Sequence, residues 1–127
     1  MSFNKRHIST IALCIYIATI CTLCFINPAN LPTTEFDLWG IGLDKLIHFL
    51  MFLPFPILAY FSFSKETKFI IWIVGCLFAL STECIQSLSE YRSFEIGDIV
   101  ADILGLTLGC TLTFIIHTLT KRTRNDQ

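Results

Sequence analysis

Apolar residues form four long stretches along the chain, separated by short polar segments. The stretches cover residues 8–26, 46–63, 69–88 and 99–119. Each is close to the roughly 20 residues that an α-helix needs to cross the hydrocarbon core of a bilayer. Asp98 stands directly before the last stretch, so we begin the fourth helix there, at 98–119. The pattern predicts an all-α fold, a four-helix transmembrane bundle that forms a single domain over residues 1–127.

The composition also favours a membrane protein. Hydrophobic residues make up 54% of the chain and charged residues 15%, which is far from the balance of a soluble domain. All six cysteines lie inside apolar stretches, where they act as small hydrophobic residues, so neither a disulfide framework nor a zinc site is indicated. The stretch 8–26 is longer than the apolar region of a signal peptide and lacks a following small-x-small cleavage site. We therefore expect it to be retained as a helix.

Basic residues are distributed unevenly among the segments that flank these helices. If both termini are cytoplasmic, seven of the nine basic residues lie on the cytoplasmic side and two lie outside. The seven are Lys5, Arg6, Lys65, Lys68, Lys121, Arg122 and Arg124, and the two are Lys45 and Arg92. Short cytoplasmic segments carry an excess of lysine and arginine, so the asymmetry predicts that both termini are cytoplasmic.

Under this topology, three helices bring polar side chains to the outer surface of the membrane. Asp44 and His48 are four residues apart, as are Asp98 and Asp102, while Glu83 and Gln86 are three apart, so each pair shares one helical face. Lys45 and Arg92 flank the same region. The sequence therefore predicts one outward-facing polar site, with Asp102 at its floor. Its residues are Asp44, Lys45, His48, Glu83, Gln86, Arg92, Asp98 and Asp102.

Small residues continue two of these faces into the bundle. Gly105 and Gly109 follow Asp102 in a GxxxG pattern, which allows a neighbouring backbone to approach closely. Gly75 and Ala79 precede Glu83 at the same four-residue spacing. We expect these four residues to lie at helix–helix contacts, which places the carboxylates inside the bundle.

Structural roles remain open for several of the polar residues. Asp44 and Asp98 could each act as an N-cap that accepts hydrogen bonds from a helix start. Glu83 could join helices through hydrogen bonds, and His48 could be a buried histidine without a chemical role. Asp102 fits these alternatives poorly, because a carboxylate one turn inside a helix caps nothing and is costly in hydrocarbon.

The order and spacing of these groups resemble the VanZ-like family of small bacterial membrane proteins. The resemblance covers residues 44–110. Its motifs are Asp44-Lys45-x-x-His48, Glu83-x-x-Gln86, Arg92-Ser93 and Asp98-Ile99-Val100-Ala101-Asp102, followed by Gly105 and Gly109. The family usually carries asparagine where this chain has Asp102. Asparagine donates and accepts hydrogen bonds without charge, whereas Asp102 must be paired, protonated or hydrated.

The resemblance implies a multi-pass protein of the bacterial inner membrane that acts in the cell envelope. The family's namesake is linked to reduced sensitivity to the glycopeptide teicoplanin, which acts on cell-wall precursors. A non-catalytic function would be binding of a lipid-linked precursor, an antibiotic or another envelope protein, in contact with membrane lipid. The outer side carries eight carboxylates against two basic residues, which favours a cationic ligand or a metal ion. No cofactor motif is evident, a divalent cation at the carboxylates stays open, and nothing indicates nucleic acid.

Two other functions are left open by the residues. In an enzyme acting on a lipid-linked phosphate or cell-wall precursor, His48 would be a base or nucleophile oriented by Asp44, and Glu83 a second acid or base. Lys45 and Arg92 would hold the anionic group. A small transporter is less favoured, because the inner halves of the last three helices carry no acidic or basic side chain except His117.

The predicted topology can be tested with reporter fusions. A reporter at Gln127 should be active on the cytoplasmic side, and one inserted near Thr34 should be active on the outer side, because this arrangement keeps seven basic residues inside. An external signal from the Gln127 fusion would contradict the convergence of the polar groups at the outer surface.

Overall fold

Helices account for nearly all of the regular structure. The computed structural model describes residues 3–24, 37–38, 41–63, 68–90 and 93–125. The helices are α1 (Phe3–Cys24), α2 (Leu43–Phe52), α3 (Pro54–Ser62), α4 (Lys68–Ser87) and α5 (Ile96–Asn125). Two-residue strands, β1 (Asp37–Leu38) and β2 (Ile41–Gly42), pair antiparallel before α2. Since α2 and α3 together form one apolar span, four segments are long and apolar enough to cross a membrane. The predicted four-helix bundle is confirmed.

The second span is divided at Leu53, where we predicted one helix over 46–63. Pro54 has no N–H to donate to the carbonyl of Leu50, and its ring crowds that carbonyl. Pro56 removes a second hydrogen bond in the same way. Leu53 itself keeps helical dihedral angles, with φ −59° and ψ −42°, and its N–H still donates to the carbonyl of Phe49 at 3.2 Å. The backbone is therefore helical at the junction, and α2 and α3 together form one apolar span.

Contacts between helix ends show that successive spans run in opposite directions. Arg6 Nε donates to the carbonyl of Ser62 at 3.0 Å, so α1 begins where α3 ends. Near that end, the ammonium of Lys68 lies 4.1 Å from the ring centre of Phe114 in the second half of α5. We call this the basic end of the bundle, because the starts of α1 and α4 and the end of α5 carry most of the described lysines and arginines. Lys45 lies at the opposite end, at the start of α2.

The core lies between the helices and is small. Phe52, Phe55 and Leu106 are at its centre, and the ring of Phe78 lies 5.6 and 5.8 Å from those of the two core phenylalanines. Outside it, many large apolar side chains stay exposed, and no more than 33% of any span is buried within the protein. Exposed apolar surface on α1, α2, α4 and α5 suits contact with lipid chains rather than water.

Two glycines of α5 allow a close approach to the neighbouring span. A methyl group at Gly105 would collide with the carbonyl oxygen of Phe49 and lie 3.3 Å from the backbone nitrogen of Leu53. At Gly109 it would collide with the carbonyl oxygen of Leu53 and lie 3.0 Å from the ring of Pro56. Backbone atoms cannot move aside as a flexible side chain can. The two glycines therefore set the distance between α5 and the divided span of α2 and α3.

Two further small residues, on α4, face the core. Gly75 packs on Leu106 and Phe55, and a methyl group there would lie 2.6 Å from a methyl carbon of Leu106. Ala79, one turn later, is completely buried. Together they bring α4 close to α3 and α5, on the same face that carries Glu83.

Replacing Gly105 by alanine should destabilise the bundle, because the added methyl meets the backbone of Phe49. Overpacking of this kind typically costs about 1–3 kcal/mol. The measurement is the free energy of unfolding in detergent, followed by circular dichroism.

The matched control is Gly97→Ala on the same helix, where the methyl would meet only Cε of Lys45, at 2.7 Å. The Lys45 side chain is flexible and can move, so this variant should be close to wild type. Equal stabilities of the two variants would contradict the close approach of α5 to α2.

Candidate functional site

A buried histidine of α2 lies between two carboxylates of α5. Nδ1 of His48 is 3.1 Å from Oδ1 of Asp102, and Nε2 is 3.4 Å from Oδ2 of Asp98. The two aspartates are four residues apart, so they project from one face of α5, one turn apart. The imidazole fits between them because Gly105 lets α2 approach that face. All three side chains are buried.

Lys45 lies beside the same side chains, at the end of the bundle where α2 begins. Its Nζ lies 2.9 Å from Oδ2 of Asp44, 3.1 Å from Oε2 of Glu95 and 3.3 Å from Oδ1 of Asp98. Asp98 thus has one oxygen beside Lys45 and the other beside His48. The side chain of Lys45 crosses over Gly97, where a larger residue would push it away.

Glu83 brings α4 into the group. Its side chain is buried, and Oε1 accepts a hydrogen bond of 2.8 Å from the backbone N–H of Glu95, the residue before α5. This bond attaches the end of α4 to the start of α5 across the connecting loop. One donor atom each from Glu83, His48 and Asp98 lie within 4.8 Å of one another.

Asp102 lies at the bottom of the group and is incompletely paired. Its side chain is fully buried, and Oδ2 has no hydrogen-bond partner among the residues that the structure describes. An unpaired buried polar atom costs about 1–3 kcal/mol, and more if the group is charged. Burial of Asp102 therefore costs free energy of folding that an apolar residue at this position would not cost.

Exposure rises steadily from Asp102 toward the end of the bundle where α2 begins. The exposed fraction of the side chain is 0% for Asp102, 10% for Asp98, 32% for Lys45 and 52% for Asp44. The group is thus a polar pocket with a buried floor and an open rim. We call it the polar cluster; its members are Asp44, Lys45, His48, Glu83, Glu95, Asp98 and Asp102.

The structure brings together most of the residues that the sequence predicted for this site. His48, Glu83, Asp98 and Asp102 meet, from three spans, and Gln86 is buried one turn beyond Glu83 on the same face of α4. Arg92 lies outside the described residues.

Asp44 has a different position from the one we predicted. It does not contact His48; it pairs with Lys45 at the exposed rim, and Asp98 and Asp102 hold the imidazole instead. The N-cap alternative is also wrong for both aspartates. Gly42 is the N-cap of α2 and α5 begins at Ile96, so Asp44 and Asp98 lie in the first turns, where negative charge is favourable.

Glu95 is a member of the cluster that sequence reasoning did not single out. Its backbone N–H binds Glu83 and its carboxylate binds Lys45. The available signal was weak: Glu95 stands three residues before Asp98, outside the apolar stretch, where an acidic residue is ordinary.

Comparison with known proteins identifies the family. The family model for VanZ/LLP1 matches residues 3–117, nearly the whole chain. The chain belongs to this family. Family membership and four apolar helices together describe a multi-pass membrane protein.

One curated relative of this VanZ/LLP1 protein comes from a eukaryote. It is "Uncharacterized protein C11E3.10" of Schizosaccharomyces pombe, 33% identical over 78 residues. The match takes in 58% of this chain and 48% of the relative, so the chain spans about half the length of that protein. No solved structure matches the chain significantly.

The coupling between His48 and Asp102 should be measurable as a stability effect. In a double-mutant cycle with His48→Ala and Asp102→Ala, we expect an interaction free energy of at least about 1 kcal/mol, since contacting residues in one buried network couple by about 0.5–3 kcal/mol. The measurement is unfolding of the purified VanZ/LLP1 protein in detergent.

The control cycle pairs Lys45→Ala with Asp44→Ala. Their N–O distance is 2.9 Å, similar to that of the buried pair, but both side chains are partly exposed. Exposed ion pairs contribute about 0.2–1 kcal/mol. A buried pair that couples no more strongly than this control would contradict the contact in the pocket.

Proposed function

We propose that this protein binds a ligand of the cell envelope at the polar cluster, on the outer side of a bacterial inner membrane. The observation that carries the proposal is the burial of Glu83, Asp98 and Asp102 around one imidazole, with an oxygen of Asp102 unpaired among the described residues. Burial of ionised groups costs several kcal/mol each unless they are compensated. Polar groups buried in a membrane span are, for this reason, mostly functional.

The orientation of the pocket follows from the distribution of basic residues. Most of the described lysines and arginines lie at the basic end, whereas the polar cluster opens at the other end of the bundle. The positive-inside rule assigns the basic end to the cytoplasm. A ligand in the pocket is then reached from the outer surface, where cell-wall precursors and glycopeptides act.

Charge favours a ligand with a positive group. The polar cluster contains five carboxylates against Lys45 and His48. Lys45 already contacts three of those carboxylates, so it is poorly available for a phosphate. An amine of a precursor or antibiotic, or a divalent cation, therefore suits the pocket better than a bare anion.

One feature favours an enzyme as the second candidate. Asp102 holds one ring nitrogen of His48, and the other nitrogen is directed toward Asp98 with Glu83 close by, an arrangement suited to a general base. A substrate with a lipid-linked phosphate would have to displace the carboxylates from Lys45, which weakens this candidate.

Transport is less well supported. Buried hydroxyls in the second halves of the spans bind their own helices: Ser62 donates to the carbonyl of Leu58 and Thr113 to that of Gly109. Among the described residues, buried charged groups are confined to the polar cluster. A polar path across the membrane would need them on both sides.

Expression of the protein in a teicoplanin-sensitive bacterium tests the proposed function. The wild-type chain should lower sensitivity to teicoplanin, and His48→Ala and Glu83→Gln should abolish the effect because they alter the buried pocket. Sensitivity is measured as the minimal inhibitory concentration, and the amount of protein in the membrane fraction is measured alongside.

Glu90→Gln is the matched control, because it makes the same chemical change at an exposed residue near the end of α4. It should behave like wild type. If the pocket variants lose the effect only in proportion to their loss from the membrane, the cluster is structural and the proposed function is wrong.

A further inference from the structure

We infer that the buried part of the polar cluster is a site for a divalent transition metal, held by His48, Glu83 and Asp98. The inference rests on the proposed function, because it names the ligand class of the same pocket. The three side chains are buried, come from three different spans and each present one donor atom within 4.8 Å of the others. Asp102, behind His48, would orient the imidazole.

The spacing of the donors suits a shared ion. Nitrogen and oxygen ligands lie about 2.0–2.2 Å from zinc, so two of them on one tetrahedral ion are about 3.4 Å apart. Nε2 of His48 and Oδ2 of Asp98 are 3.4 Å apart. The third donor comes from Glu83, one carboxylate oxygen of which lies within 4.8 Å of a donor atom of each of the other two residues.

The hydrogen bonding of His48 is compatible with a bound cation. An ionised carboxylate can only accept, so Nδ1–H donates to Asp102, and the ring in its neutral form then presents a lone pair at Nε2. That lone pair faces a second carboxylate, Asp98. Two acceptors face each other stably only with a proton or a metal ion between them. A carboxylate on the far nitrogen of a metal-binding histidine is the usual supporting arrangement.

A second, independent sign comes from Asp102. Its side chain is fully buried next to His48, and Oδ2 has no partner among the described residues. A dication held beside His48 and Asp98 would stabilise the negative charge of this buried carboxylate.

The donor set selects the class of metal. One imidazole and two carboxylates suit zinc, manganese or iron(II), whereas calcium and magnesium prefer oxygen ligands alone. A second group of three carboxylates, Asp44, Glu95 and Asp98, lies at the rim. The ammonium of Lys45 already contacts all three carboxylates, so it occupies the position that a metal ion would take at the rim.

Titration of the purified full-length protein with Zn²⁺ tests the site. The protein is treated with EDTA in detergent, and binding is measured by calorimetry; Co²⁺, which gives visible absorption bands, reports on the ligand geometry. We expect one Zn²⁺ per chain, an increase in thermal stability, and little competition from excess Mg²⁺.

Two conservative variants test the buried site. Glu83→Gln can still accept the N–H of Glu95 but loses the charged ligand, and Asp102→Asn can still accept from His48. Each should weaken Zn²⁺ binding at least about tenfold, as is typical of lost ligands and supporting residues. Glu90→Gln, outside the cluster, should bind like wild type.

Wild-type protein that binds no Zn²⁺, or a Glu83→Gln variant that binds it normally, would overturn the metal assignment. The proposed function would survive that result if His48→Ala still abolished the teicoplanin effect at normal abundance in the membrane. Loss of that effect only in proportion to abundance would instead count against the proposed function, whatever the Zn²⁺ titration showed.

Discussion

The close parallel contact of α5 with α2 and α3 is the constraint on which the rest of the structure depends. Gly105 and Gly109 bring the backbone of α5 against Phe49 and Leu53, with no side chain between them. Both helices run away from the polar cluster in the same direction, so the register set by the glycines also places His48 beside Asp102. A longer side chain at either glycine would separate the imidazole from its carboxylates. The packing of α5 against α2 therefore also sets the distances between His48 and its carboxylates.

Burying the charged groups of this pocket costs free energy of folding. Three carboxylates are buried at one end of the bundle, and Asp102 is not fully paired among the described residues. Asparagine, which the resemblance to the VanZ-like family leads us to expect at this position, could keep the hydrogen bond to His48 without charge. Aspartate in its place strengthens the demand for a positive partner.

Much of this arrangement could be predicted from the sequence, because helical periodicity and span direction are both readable from it. The spacing of Asp98 and Asp102, together with the depth of Glu83 on α4, was sufficient to predict that these residues lie near His48. Three features were not predictable in this way. The division at Leu53 depends on prolines inside an apolar run, the pairing of Asp44 with Lys45 depends on side-chain rotation at an exposed helix start, and the role of Glu95 depends on a backbone N–H in a loop.

A crystal structure of the protein in a lipid mesophase is the most direct test of the central claim that three spans share one buried polar pocket. The imidazole of His48 should lie within about 3.5 Å of both Asp98 and Asp102, with Glu83 beside them and the pocket open at the end where α2 begins, in line with hydrogen-bond distances. A structure in which His48 and Glu83 point away from each other, with lipid between them, would contradict the account.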